Sequence, residues 1–518
     1  MRHPVALDGP AKQRAARPER TALAPGLEIS RIVTGLWQVA DMERGGAQLD
    51  PVRGAAAMAE YAATGFDTFD MADHYGSAEV ITGTLLASAA GRGVRALTKW
   101  CPPPGPMTAT VVREAVQRAL DRMQTSCIDL LQFHWWTFEH PAYIDAMLEL
   151  ARLREEGLIA HLGLANFDTA HLRLLLAEGI PVASNQVCMS LLDRRGIEAM
   201  SRLCLANGVR LLAYGVLAGG FLGERWVGAA EPAAVADWSK MKYRRFIDSV
   251  GGWDALQAVL RAARDIGRRH GVSLSNVATR WVLEQPAVAA VIVGARLGES
   301  EHRADNLKLF DFALDGEDHA RLADAFAATK GLPGDCGDEY RRPPFLTASG
   351  DLTHHLDSVL PLWERKPVAG YPDRWKIDSG SMWEPIAGYS RAVRIQDRIL
   401  VSGTTATHGN GQVIGRGDAA VQASYILDKI GASIKALGGR LEDVVRTRVY
   451  LANAADCEAV SQVHGSYFAD IRPANTLVEV SALIGDGYLV EIEAEAIASG
   501  STGPSNGAEV AVGSARPS

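Results

Sequence analysis

The chain has 518 residues, too many for one ordinary hydrophobic core, so two or three domains are expected. Charged residues make up 22% of it and the formal net charge is −8, a balance that argues against nucleic acid as the main partner. The six cysteines are scattered with no C-x-x-C pair and no zinc-like histidine spacing, and no apolar run approaches the roughly 20 residues needed to span a bilayer. A cytoplasmic protein with reduced thiols, no metal and no membrane partner is the expectation.

Residues 1–20 are rich in Arg, Ala and Pro and lack an apolar h-region, which reads as a disordered tail and not as a secretory signal. Apolar, β-branched runs then recur at 32–37, 66–69, 96–99, 128–134, 159–164, 182–187, 211–216 and 288–293, separated by stretches of helical period. Such alternation predicts a (β/α)8 TIM barrel over 21–330. The interval 221–253 before the eighth strand is too long for one crossover and reads as an insertion over the C-terminal mouth. From 331 to 382 Pro and Gly cluster and periodicity fades, so a linker with a short helix around 352–360 is expected. A smaller α+β domain is expected over 383–499, with strands near 393–401, 444–451, 476–480 and 488–497 and helices over 421–437 and 455–469. A Gly/Ser/Pro tail, 500–518, follows.

The stretch Gly-Phe-Asp-Thr-Phe-Asp-Met-Ala-Asp-His-Tyr-Gly-Ser-Ala-Glu, 65–79, puts Asp70 and Tyr75 where a strand passes into a loop. Lys99 ends the next apolar run and His134 the one after. Singly, each has an ordinary explanation: a barrel ion pair, a rim phenol, a half-buried histidine. If the strands are parallel neighbours, the four side chains converge.

This set, with Gly-Leu-Ala-Asn-Phe at 163–167 and Asn185-Gln186, resembles the aldo-keto reductase family over about 29–328. Reducing a carbonyl with hydride leaves an alkoxide unless a proton arrives, so a general acid is needed. Tyr75 fits that role, with the Lys99 ammonium stabilising its phenolate, Asp70 fixing the lysine, and His134 donating a hydrogen bond to the substrate carbonyl. No G-x-G-x-x-G follows the first strand, so a Rossmann domain is not supported. Instead Tyr214-Gly-Val-Leu-Ala-Gly-Gly follows the seventh strand and Gly294-Ala-Arg the eighth, where barrels cradle phosphate.

The resemblance implies NADPH in extended form. Asn166 and Gln186 would hold its carboxamide, Tyr214 would stack on the ring, and Gly215, Val216, Leu217 and Gly219 would meet the pyrophosphate. Gly294, Arg296, Arg303 and Asn306 would face the adenosine end, the guanidinium groups suiting a 2′-phosphate. Trp37, Trp100, Trp135 and Trp136 fall at or just after strand ends. A broad aromatic pocket for a hydrophobic or ring-bearing small-molecule carbonyl is expected from Trp37, Trp100 and Trp136, unless one or two pack outward.

The segments Gly-Tyr-Ser-Arg-Ala-Val from 388, Val-Ser-Gly-Thr from 401, Asp-Val-Val-Arg-Thr-Arg-Val-Tyr-Leu from 443, Arg-Pro-Ala-Asn from 472 and Val-Glu-Ile-Glu-Ala-Glu-Ala-Ile-Ala from 490 resemble the reactive-intermediate deaminase (Rid) family over about 384–498. That resemblance implies a chorismate-mutase-like sheet backed by two helices, usually a homotrimer with pockets between subunits. Tyr389, Ser402, Asn475 and Glu491 fall at its pocket positions. Asn475 stands where the family has an arginine for the substrate carboxylate, which favours a ligand-binding or trimerising module over a deaminase. The expected function is NADPH-dependent reduction of an aldehyde or ketone. A nucleotide-sensing regulator with vestigial turnover and a coupled carbonyl/imine metabolism are the alternatives.

Overall fold

In the computed structural model the described residues are 17–39, 48–235, 238–299, 301–342, 361–409 and 411–498. The tails beyond them and the helix expected near 352–360 lie outside this set. The chain divides into two compact units, 1–359 and 360–518.

In the first unit the hairpin β1 (Arg20–Ala24) and β2 (Leu27–Ser30) precedes a closed barrel. Its strands are β3 (Ile32–Gly35), β4 (Thr68–Asp70), β5 (Arg95–Trp100), β6 (Ile128–His134), β7 (Ile159–Ala165), β8 (Val182–Cys188), β9 (Arg210–Tyr214) and β10 (Val288–Gly294). Each pairs in parallel with the next and β10 closes on β3, the cylinder that eight apolar runs with helical crossovers specify.

The outer helices include α1 (Pro51–Ala63), α2 (Ala78–Leu86), α3 (Ala109–Met123), α4 (Ala142–Glu155), α5 (Thr169–Ala177) and α6 (Ser201–Ala206). Side-chain caps start several of them: Thr108 accepts the Val111 amide at α3, and Asp168 accepts the His171 amide at α5. The insertion after β9 carries α7 (Trp238–Val250) ahead of α8 (Trp253–His270) and α9 (Leu274–Leu283); α10 (Arg303–Leu307) and α11 (Gly316–Ala327) follow β10. Leu23, Leu27 and Ile29 of the hairpin pack on the inward-facing Leu97, Leu130 and Leu212 and plug the N-terminal end. Each leucine so buried contributes about 2 kcal/mol.

The linker range does not behave uniformly. Residues 331–342 stay with the barrel and run across its mouth, whereas β11 (Lys366–Val368) and β12 (Tyr371–Ile377) are strands of the second unit. After α12 (Trp383–Ala387) come β13 (Ala392–Ile395), β14 (Arg398–Thr405), a small pair β15 (Thr407–His408) and β16 (Gln412–Val413), α13 (Ala419–Ala436), β17 (Val444–Leu451), α14 (Cys457–Phe468), β18 (Ala474–Glu479) and β19 (Val490–Ile497). The sheet runs β11-β12-β13-β14-β19-β17-β18. Its alternation is strict on β19: Val490, Ile492, Ala494 and Ala496 are buried, while Glu491, Glu493 and Glu495 face the other way with Arg446, Arg448 and Tyr450. That second face is open in the single chain.

Candidate active site

Register sets the geometry. Lys99 pairs with Gln132 across β5 and β6, His134 with Ala165 across β6 and β7, and Ala165 with Gln186 across β7 and β8. Inward-facing polar residues therefore meet in one layer at the mouth. Lys99 Nζ donates to Asp70 Oδ2 at 2.6 Å, with both side chains buried. Asp70 Oδ1 accepts Gln132 Nε2 at 3.0 Å and Gln186 Nε2 at 2.7 Å, and Gln186 Nε2 also reaches Gln132 Oε1 at 2.8 Å. A Cβ at Gly163 would come within 2.7 Å of Ser184 Oγ and 3.1 Å of Gln132 Cγ, so glycine is what lets this amide network close. The Lys99 ammonium lies 5.0 Å from the centroid of the Tyr75 ring, which Trp37 meets edge-on at 5.0 Å.

His134 is buried. Its Nδ1 lies 3.0 Å from the Ala165 carbonyl, an acceptor only, so Nδ1 carries the proton and Nε2 a lone pair. Among the described residues Nε2 has no hydrogen-bond partner, and the imidazolium is strongly disfavoured, first by burial and then by the nearby Arg341 cation. In the neutral Nδ1–H form Nε2 accepts; the donating role expected of His134 would need either the Nε2–H tautomer or the imidazolium.

The structure adds residues that the sequence reading missed. Gln132 helps hold Asp70, and residues 339–341 build one wall of the mouth. Tyr340 stands edge-on to His134 at 5.4 Å and to Trp136 at 6.1 Å, and Lys242 of α7 donates to its hydroxyl at 2.6 Å. Glu339 accepts Arg195 Nη2 at 2.8 Å and the Tyr214 hydroxyl at 3.0 Å, while Arg341 reaches the carbonyls of Asn166 and Trp135, each at 2.6 Å. The Gly/Pro content of 331–342 signals only a loop, and no local pattern says where that loop goes.

The expected pocket tryptophans separate. Trp37 lies against Tyr75 and Trp136 against His134, at 4.3 Å between ring centroids. Trp100 is a correction. It shares strand parity with Thr98, whose hydroxyl reaches Glu79 of α2, and it borders a cavity with Ala115 and Ala119 of α3. It therefore faces the helix layer, as does Trp135, stacked on Phe133.

The amides of Val216 and Leu217 make no hydrogen bond among the described residues, which suits a pyrophosphate. Gly215, at φ 71°, lies so close under α7 that a Cβ would strike the Tyr243 hydroxyl, and Gly219 is also left-handed at φ 63°. Leu217 and Asn306 border a cavity of about 20 Å³ beside Val293. Gly294 and Arg296 are exposed at the end of β10. Asn166, at φ 59°, has its Oδ1 2.9 Å from the Tyr214 hydroxyl, whose one proton it shares as an alternative acceptor with Glu339, and among the described residues its Nδ2 makes only a 3.5 Å contact with His134. These residues fit a dinucleotide. Two assigned residues are engaged elsewhere: Gln186 Nε2 is held by Asp70 and Gln132, and Arg303 is paired with Glu301 at 2.6 Å and lies over the Tyr61 ring.

In the second unit Ser402 Oγ donates to the Ser390 carbonyl at 2.8 Å, and burial raises Glu491 above the usual carboxylate range while Arg391 opposes the shift. Tyr389 and Glu491 both act electrostatically on Arg391, so three of the four expected pocket residues gather near it. Asn475 does not join them. It accepts Thr447 Oγ1 at 3.3 Å on the helix-facing side of the sheet, opposite the face that carries Glu491.

Residues 31–326 match the family model described as Aldo/keto reductase family, and 380–498 match the one described as Endoribonuclease L-PSP. The barrel is that of an oxidoreductase, and a nicotinamide dinucleotide is the cofactor its family uses. More particularly, the chain belongs to the aldo/keto reductase family, with a C-terminal unit of the RutC family. Protein tas of Escherichia coli (strain K12) is 30% identical over 206 residues, covering 36% of this chain and 58% of the relative. The 3-aminoacrylate deaminase RutC of Acinetobacter baylyi is 35% identical over 108 residues, 21% of this chain and 85% of that protein. A solved glycerol dehydrogenase from Gluconobacter oxydans is similar at 22% identity over 60% of this chain and 95% of its own, with a TM-score of 0.48. Among the described residues no helix is long and apolar enough to cross a membrane.

Proposed function

We propose that the barrel catalyses the NADPH-dependent, reversible reduction of an aldehyde or ketone to an alcohol. The observation that carries this reading is the buried Lys99 ammonium, 2.6 Å from Asp70 and 5.0 Å from the Tyr75 ring centroid. A cation at that distance favours the phenolate, so Tyr75 can release a proton to the carbonyl oxygen. Asp70, held by two glutamines, fixes the Lys99 ammonium in place. His134, neutral, accepts the O–H of the alcohol form through Nε2. The bound nucleotide supplies the hydride. Asn166, Tyr214, Val216, Leu217, Gly219, Asn306 and the exposed Arg296 would hold it, with Arg296 the guanidinium left for a 2′-phosphate.

Trp37, Trp136 and Tyr340 make the substrate walls aromatic, which suits a ring-bearing or hydrophobic carbonyl. The second unit is proposed to bind a ligand and to assemble the chain as a homotrimer through its open sheet face, without imine hydrolysis. The test is Tyr75→Phe: NADPH oxidation with a panel of aldehydes and ketones should vanish while NADPH fluorescence still reports binding. Carbonyl reduction retained by that variant would refute the assignment.

A further inference from the structure

We propose that Asp73, His74 and Cys101 form a site for a borderline-soft divalent cation of the zinc class at the barrel mouth. Their spacing in sequence gives no hint of it, because the site is assembled across two strands. The Asp73 amide donates to the Lys99 carbonyl at 2.9 Å, which ties the loop after β4 to the end of β5 and brings Cys101 beside it. The carboxylate, imidazole and thiol ligand atoms all lie within 4.8 Å of one another. His74 Nδ1 is 3.1 Å from Asp73 Oδ1, and Asp73 Oδ2 accepts the Cys101 amide at 3.4 Å. Around a tetrahedral zinc with bonds of about 2.0–2.3 Å, ligand atoms sit roughly 3.3–3.7 Å apart. The 4.8 Å limit within which the three atoms lie exceeds that spacing by about 1 Å.

The chemistry of the set narrows the ion. One sulfur, one nitrogen and one oxygen donor suit zinc and its neighbours better than magnesium or calcium, which take oxygen alone. Three protein ligands leave a coordination position for water. Charge also favours a cation. Among the described residues the Asp73 carboxylate is paired with no basic side chain except His74, since Arg122 turns to the Asp73 backbone carbonyl and to Glu79. A second group of ligand-type residues, Cys188, Asp193 and Glu339, shows the contrast. There Arg195 stands 2.7 Å from Asp193 and 2.8 Å from Glu339, so a guanidinium already fills the place a metal would take. Asp73 and His74 are partly accessible, while Cys101 is buried beside Trp136 and Tyr340.

The test is zinc titration of the chelator-treated full chain by calorimetry and native mass spectrometry, repeated with cobalt for its thiolate charge-transfer band. One equivalent per chain with that band is expected. Cys101→Ser and His74→Ala should each weaken binding about tenfold or more, Cys101→Ser with loss of the band. Cys457→Ser, which alters an exposed thiol elsewhere, should bind as the parent does. His74 is half-buried and its replacement keeps the strands intact, so it covers the case in which Cys101→Ser does not fold. The absence of stoichiometric zinc, parental binding by both site variants, or loss of binding in Cys457→Ser would overturn the proposal. Binding is read without turnover, so the outcome is independent of the reductase assignment.

Discussion

Arg195 and Glu339 are joined at 2.8 Å with neither side chain exposed by more than a few per cent, although 144 positions separate them in sequence. This pair pins residues 335–342 across the mouth. Burial would raise the Glu339 carboxyl, but Arg195 and then Lys242 outweigh it and hold it down to about 2. Because the folded value lies below the ordinary one of about 4.5, the stabilisation is complete above that pH and is lost as pH falls toward about 2. Glu339→Gln should therefore destabilise the barrel by about 3 kcal/mol at pH 7. The gap between parent and variant should narrow as pH drops from 5 toward 3 in urea unfolding, and a gap independent of pH would assign the loss to packing alone.

The Lys99–Asp70 contact makes a graded prediction for turnover. Lys99→Met removes the cation that favours the Tyr75 phenolate, so kcat should fall by about 10²–10⁴ with NADPH affinity nearly unchanged. Asp70→Asn keeps a hydrogen-bonding side chain among Gln132 and Gln186, so its effect should be smaller. Steady-state kinetics with fluorescence binding would decide the order, and a larger loss for Asp70→Asn would shift the essential role to the carboxylate.

His134 should stay neutral through the physiological range, because burial and the nearby Arg341 depress its basicity well below the ordinary value near 6.5. Nitrogen-15 spectra, with the resonance assigned by its loss in His134→Gln, should show an Nδ1-protonated imidazole that does not titrate between about pH 6 and 8. An Nε2–H tautomer would restore the donating role that the family resemblance suggests.

The barrel could be read from sequence because each of its eight strands is a short apolar run, and Asp70, Lys99 and His134 each end one. Strand parity was harder to see: Trp100 and Lys99 are adjacent, yet one faces the helices and the other the barrel interior. Tyr340, Arg341 and Lys242 were invisible as site residues because what places them is tertiary, a loop crossing the mouth to meet α7. Likewise β11, the edge strand, and β12 beside it carry Pro367 and Pro372 and are largely exposed, so their apolar periodicity is weak. Asn475 could be read from sequence as an asparagine at the position of the family's arginine, but its orientation depended on register with Thr447.

The open face of the second unit gives the last prediction. Arg448 bonds Glu493 at 2.9 Å and Glu495 at 3.3 Å on that face, and Tyr450 donates to Glu493 at 3.0 Å. Such exposed pairs add roughly 0–1 kcal/mol to the fold of one chain. Their value would lie in holding three glutamates of β19 side by side at a subunit contact, where an uncompensated buried charge is costly. Arg448→Glu places a fourth carboxylate among them. Light scattering after size exclusion should report a trimer for the parent and a monomer for Arg448→Glu, with circular dichroism unchanged. A variant that remains trimeric would move the assembly surface away from this face.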